Sequence, residues 1–306
     1  MGRLAQPTAE ELTTIAVIGD PHIPRESEDT LKLYQADIFL ERVVEDVNAR
    51  DVDTALFVGD ITMDGFNEEY KRFDRIVEPL DVPWAAIPGN HDVWKTYDEH
   101  DSPSIEVFED RYTSDGLPFV IDHGDVQLIA LDSSSHDDVN DTHAGTVDDD
   151  QLEWLDEQLA AAMNPVVALH HVLPAMIEQF EAYSRDVDPD LSPPPVLENT
   201  QPLIDVLQKH EVSLVLTGHL HIPSIAQTDR VREVNAPATS TFPPAYLVLE
   251  IGPDGTIVRY IPLGDSTEAR TAFTRRSGLR PKAEALSVMA ASRIASFPLV
   301  DEIDRD

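Results

Sequence analysis

Residues 13–20 read TTIAVIGD, and residues 54–60 repeat the form as TALFVGD. Each is an apolar, β-branched run too short for a helix, closing on Gly-Asp. Such a run is expected to be a strand buried on both faces. Between them, residues 31–50 (LKLYQADIFLERVVEDVNAR) carry apolar side chains at helical spacing. A helix around 67–78 and a third strand, VPWAAIPGN (82–90), follow. Strand alternating with helix predicts an α/β fold with a largely parallel core.

Working outward, PFVIDHG and DVQLIALDS (118–133) predict a hairpin. DDDQLEWLDEQLAAAM (148–163) predicts a helix with acid in its first turn, where the helix dipole favours it. PVVALHH (165–171), VSLVLTGH (212–219) and runs near 245–251 and 256–263 predict further strands. The Pro-rich, acidic stretch 186–200 is expected to loop over the surface. The reading is of one domain, 1–263, with a C-terminal appendage, 264–306, that holds a basic segment (270–282) and a short helix ending near Phe297-Pro298.

The chain has 306 residues, 58 acidic against 22 basic, for a net charge of −36. Its field repels nucleic acid and anionic membranes, which argues against long nucleic acid as a partner. The acid is spread along the chain, and at about 1 M salt the Debye length of about 3 Å screens the self-repulsion. A salt-rich, halophilic cytoplasm is therefore expected. There is no Cys, which excludes disulfides, thiolate zinc and iron–sulfur clusters. With no apolar run long enough for a signal peptide or a bilayer span, the expected location is cytoplasmic, with no membrane partner.

Ligand-type residues close five successive predicted strands: Asp20 with His22, Asp60, Asn90 with His91 and Asp92, His170 with His171, and His219 with His221. In an open α/β sheet, sites form beyond the carboxyl ends of strands. Convergence of five such ends at one edge predicts a metal site. Two divalent cations about 3.5–4 Å apart can clamp a phosphate and supply hydroxide at neutral pH. Mixed imidazole and oxygen donors suit Mn, Fe or Zn better than Ca, with Mn favoured. The neutral amide of Asn90 keeps the site positive, so it can attract an anion inside an acidic protein.

GDPH (19–22), GDITMDG (59–65), GNHD (89–92), LHH (169–171) and GHLH (218–221) resemble, in order, the five motif blocks of the calcineurin-like metallophosphoesterase superfamily. IALDSSS (129–135) and LVLTGHLHIPS (215–224) look like its branch of class III cyclic-nucleotide phosphodiesterases and glycerophosphodiesterases, although HHVLP (170–174) stands where HHPP is common. The resemblance implies a four-layer α/β/β/α sandwich. It implies that Asp20, His22 and His221 bind one metal, that Asn90, His170 and His219 bind a second, and that Asp60 bridges them. It further implies hydrolysis of a small phosphoester, with a diester favoured, by hydroxide held between the metals. His91 would assist the leaving group and Asp92 would orient His91 by a hydrogen bond. A phosphomonoesterase, a nuclease and a non-catalytic interaction module on the same fold are the alternatives.

Other residues carry weaker expectations. His171 should sit behind the site. His136 and His143 should face solvent, ahead of the alternative that one of them reaches substrate, with His100, His123 and His210 on the surface. Trp84 and Trp154 should pack, whereas Trp94 is a candidate pocket wall. The basic segment 270–282 reads as a strap neutralising the protein's own acidic surface, ahead of a contact with substrate phosphate or another subunit. The 172–200 segment reads as a lid or a contact in a homo-oligomer.

Overall fold

The computed structural model describes residues 1–26, 33–96, 102–113, 115–136 and 139–303. The first motif strands form as expected: β2 (Thr13–Ile18), β3 (Thr54–Val58) and β4 (Trp84–Ile87). They run parallel and continue, through antiparallel β11 (Ala245–Gly252) and β12 (Gly255–Pro262), to β1 (Gly2–Leu4). A second six-stranded sheet has the hairpin β5 (Phe119–His123) and β6 (Val126–Ala130) at one edge. It continues through β7 (Pro165–Ala168) and β8 (Leu214–Thr217) to β10 (Val231–Asn235) and the antiparallel edge strand β9 (Ser224–Thr228).

The period-2 alternation of the strands sets the layers. Ile15, Val17, Leu56 and Val58 point into one core with Val166, Ala168, Leu214 and Leu216 of the opposite sheet. Their neighbours Ala16, Ile18, Ala55 and Phe57 point outward, against helices. That is why the motif strands are continuously apolar: both faces are covered. Outside the first sheet lie α1 (Ala36–Asn48), α2 (Asn67–Val77) and α3 (Ile105–Tyr112). Outside the second lie α4 (Asp149–Leu159) and α6 (Thr200–Lys209). The order is α/β/β/α.

The segment 172–200, expected as a lid or oligomer contact, holds the helix α5 (Pro174–Val187) and leads into α6. The Pro-rich run obscures their periodicity, and between the two helices only residues 188–199 lack helix. After residue 263 the chain forms α7 (Ser266–Ser277) and α8 (Pro281–Ala295). Ala285, Met289 and Ala290 of α8 share an apolar cluster with Met176 and Phe180 of α5 and with Leu220 and Ile222. The last described residues run beside β1, where Arg3 N–H donates to Val300 O and Leu299 N–H to Met1 O, both at 2.9 Å. No helix among the described residues is long and apolar enough to cross a membrane.

Candidate metal centre

The carboxyl ends of β2, β3, β4, β7 and β8 meet at one edge of the sandwich. The loops after them are tight because the chain must turn at once. Asp20, His22, Asp60, His219 and His221 all hold left-handed backbone, with φ of 49°, 44°, 52°, 70° and 57°. Non-glycine residues adopt this region at a cost of about 1–3 kcal/mol each, and such strain collects at functional sites. The glycines of the motifs make room. A Cβ at Gly89 would lie 2.2 Å from the Asp60 nitrogen, and one at Gly59, where φ is +92°, would lie 2.3 Å from His170 Nδ1.

The donor atoms fall into two groups that share one residue. Asp20, His22, Asp60 and His221 form the first, and Asp60, His170 and His219 the second, each with donor atoms within 4.8 Å of one another. His22 Nε2 lies 3.0 Å from His221 Nε2 and 3.4 Å from Asp60 Oδ2. His221 Nε2 lies 3.3 Å from Asp20 Oδ1, and His170 Nε2 lies 3.5 Å from Asp60 Oδ2. Asn90 joins the second group, its Oδ1 being 3.0 Å from His219 Nδ1.

This arrangement fits divalent cations. Asp20, His22, Asp60, Asn90 and His170 are buried, yet Asp20 Oδ2 and His170 Nε2 have no hydrogen-bond partner among the described residues. Such buried polar atoms are costly unless something else satisfies them. Val58 O accepts from His170 Nδ1 at 2.8 Å, which turns the lone pair of Nε2 toward Asp60. Burial pushes the Asp20 carboxyl up. Burial also pushes Asp60 up, but His170, His91 and His22 outweigh it and hold Asp60 well below the usual range. Burial and the neighbouring His170 push His219 down to about 3, while His170, which burial would lower, is raised to about 9 by Asp60 and Asp20. Asp60 is thus the anion around which the imidazoles gather.

His91 sits beside both groups. Its backbone N–H donates to Asp60 Oδ1 at 2.9 Å, its Nδ1 lies 2.6 Å from Met63 O, and its ring meets that of His22 edge-on at 4.8 Å. The four hydrogen bonds described for the Asp92 carboxylate go elsewhere than expected. It accepts from the backbone N–H of Ile61, Thr62 and Gly89 at 3.1, 2.8 and 2.8 Å, and from the Thr62 hydroxyl at 2.7 Å. It pins the Asp60 loop to the Asn90 loop, while a carbonyl of the Asp60 loop holds the His91 ring.

Two contributions were missed in the sequence. His143 faces the site: its Nδ1 is 2.9 Å from Asn90 Nδ2, and its ring stacks on His91 at 5.4 Å. Pro195, in the segment expected to be a surface loop, places its carbonyl 2.9 Å from His219 Nε2. No local pattern announces either contact. His171 lies behind the site as expected, between Ser133 Oγ at 2.8 Å and His143 O at 3.1 Å. His210 Nε2 is 2.6 Å from Asp156 Oδ1, and His123 is half-buried at the end of β5. His100 lies outside the described residues. Trp84 packs with Phe57, Phe73 and Tyr112, and Trp154 against the α4–α6 core. Trp94 is half exposed and does not line the cavity over the metal ligands.

That cavity, of about 320 Å³, has Asp60, Asn90, His91, His143, His219 and His221 in its lining. Pro194, Pro195 and residues of the end of α7 and the start of α8 also line it. Arg276 of α7 is buried, with its guanidinium donating to Leu220 O and His221 O at 2.9 Å each, and to Phe242 O. Part of the basic segment is therefore built into the site, which an electrostatic strap over the surface would not be.

A family model described as calcineurin-like phosphoesterase matches residues 13–223. A probable glycerophosphodiester phosphodiesterase of Arcobacter nitrofigilis is 31% identical over 61% of this chain, and the match spans 63% of that relative's length. A probable cyclic nucleotide phosphodiesterase of Synechococcus is 27% identical over 79% of this chain and 89% of its own. A 3',5'-cyclic adenosine monophosphate phosphodiesterase of Pseudomonas aeruginosa is 29% identical over 76% and 78%. Among solved structures, a dimetal phosphatase from Danio rerio matches 83% of this chain and 97% of its own with a TM-score of 0.59 at 15% identity. That likeness concerns the fold.

Proposed function

This chain belongs to the calcineurin-like phosphoesterase family, and on that premise we propose that it is a metal-dependent hydrolase of small phosphodiesters. The observation that carries the reading is the pair of donor groups sharing Asp60 on the floor of the cavity, with His91 beside them. Asp20, His22, Asp60 and His221 would hold one divalent ion, and Asp60, Asn90, His170 and His219 a second. Bound there, such ions supply Lewis-acid stabilisation of phosphoryl charge and acidify a water at neutral pH. The diester preference rests on what the curated relatives are named for.

The protein's own groups do the remaining work. Asp60 gathers the imidazoles and, through His91 N–H, positions His91 beside both donor groups. With Nδ1 tied to Met63 O, His91 directs Nε2 as its proton-transferring atom. A proton delivered from Nε2 to the departing ester oxygen neutralises it as the P–O bond breaks. Manganese as the resident metal, a cytoplasmic location and adaptation to high salt belong to the same proposal, on the donor set and on the charge of −36.

The test is kcat/KM for bis-p-nitrophenyl phosphate against p-nitrophenyl phosphate, with Mn²⁺ in molar KCl. A ratio well above one is expected. A ratio well below one makes the protein a phosphomonoesterase, and no hydrolysis with fewer than two metals per chain makes it a binding module. His91→Ala should lower kcat about 10²–10⁴-fold while both metals stay bound. A metal-loaded, fully active variant overturns the role of His91.

A further inference from the structure

The cavity over the donor groups carries cations in its lining. Arg276, Arg280 and Lys282 line it, and Asp60 is the one carboxylate among its described lining residues. In a chain of charge −36 this is a local reversal of sign. Arg276 is committed to the carbonyls of Leu220, His221 and Phe242. Arg280 and Lys282 are placed differently. Arg280 is exposed at the N-cap of α8, and half-buried Lys282 reaches across to Pro193 O at 3.1 Å. Lysine beside arginine is unfavourable without an anion, and burial and Arg280 both lower the pKa of Lys282. The described lining also has an aliphatic share, from Leu220, Leu279, Ala283 and Leu286. Its rings are imidazole and proline, so it offers a base no phenyl or indole face to stack on.

We propose that Arg280 and Lys282 form a second anion subsite, so that the preferred substrate is a phosphodiester with a carboxylate or phosphate on one ester arm. The proposal rests on the hydrolase reading above and narrows its substrate. A cyclic mononucleotide has a single anion, which the metal centre takes, and leaves Arg280 and Lys282 unmatched. A choline or ethanolamine arm brings a cation against them. An arm with its own anion meets Arg280 and Lys282 in charge-assisted hydrogen bonds, which Arg in particular makes with planar oxyanions.

Three aryl 4-nitrophenyl phosphates, with 4-carboxyphenyl, phenyl or 4-trimethylammoniophenyl as the second arm, test this with the full chain and Mn²⁺ at fixed ionic strength. The expected kcat/KM is about tenfold higher for the carboxylate arm than for phenyl, the scale of one hydrogen bond to a charged group, and lowest for the trimethylammonium arm. In the Arg280→Gln, Lys282→Gln double variant the carboxylate-to-phenyl ratio should collapse to about one. Equal rates in the wild type, or a ratio that survives the double substitution, overturn the subsite. If no ester is hydrolysed, the hydrolase reading fails separately. Calorimetric binding of 4-carboxyphenyl phosphate against phenyl phosphate then decides the subsite: tighter carboxylate binding lost in the double variant supports it, and equal binding overturns it.

Discussion

Asp92 and Arg276 brace two sides of one metal centre with opposite charges. Asp92 is a buried anion that collects three backbone N–H groups and a hydroxyl from the loops carrying Asp60 and Asn90. Arg276 is a buried cation that collects carbonyls, two of them in the loop carrying His219 and His221. Each charge is matched by dipoles. The loops need such braces because five of their ligands sit in strained, left-handed backbone. The difference lies in origin. Asp92 comes from inside a motif and joins it to another, holding Gly89 beside it and Ile61 and Thr62 of the earlier GDITMDG block. Arg276 comes from a helix far beyond the matched residues 13–223.

The comparison breaks most visibly at Asp92. Asp92→Asn replaces an acceptor with an NH₂ group facing N–H donors. Leaving buried donors unsatisfied should cost about 3 kcal/mol in denaturant unfolding and lower kcat/KM at least 100-fold. If Asp92 served only to aim His91, activity would fall with stability unchanged. Arg276→Met should come next, at about 2 kcal/mol. Its distinguishing readout is metal stoichiometry: the ion held through His221 should weaken, and Arg276→Lys should recover part of it. Two tightly bound metals in Arg276→Met would remove the bracing role.

A third buried group sharpens the rule that such a charge needs all its partners. Glu233 Oε1 accepts from Thr217 Oγ1 at 2.8 Å and Leu173 N–H at 3.1 Å, but Oε2 has no partner. Burial raises this carboxyl from 4.5 to about 8. The folded state then binds a proton that the unfolded state has released, so this group's contribution weakens stability as pH rises from about 4.5 through about 8. Glu233→Gln mimics the neutral acid. It should be near neutral at pH 5 and stabilising at pH 8. An equal change at both pH values would refute the burial argument.

The motif strands were legible because a strand covered on both faces is apolar at every position, and the break to Gly-Asp marks where it leaves the core. The edge strand β9 and its neighbour β10 were not. In QTDRVREVN the polar residues interrupt the run, and only pairing with β8 makes it a strand. Likewise α5 became legible only through Met176 and Phe180, which bury against α8. His143 read as solvent-facing because its neighbours are polar, and nothing local tells that its loop crosses to Asn90.

The sequence by itself determined the layered α/β architecture, the placing of nine ligand-type residues at strand ends, and the absence of thiol ligands. Those depend on residue type and on period, which are local. Tertiary structure alone decided what surrounds the ligands: Met63 O on His91, Pro195 O on His219, Arg276 under the His219–His221 loop, and the cations of the cavity lining. These contacts join segments far apart in the chain, and the distance between two side chains is set by packing of the layers rather than by any pattern along either segment.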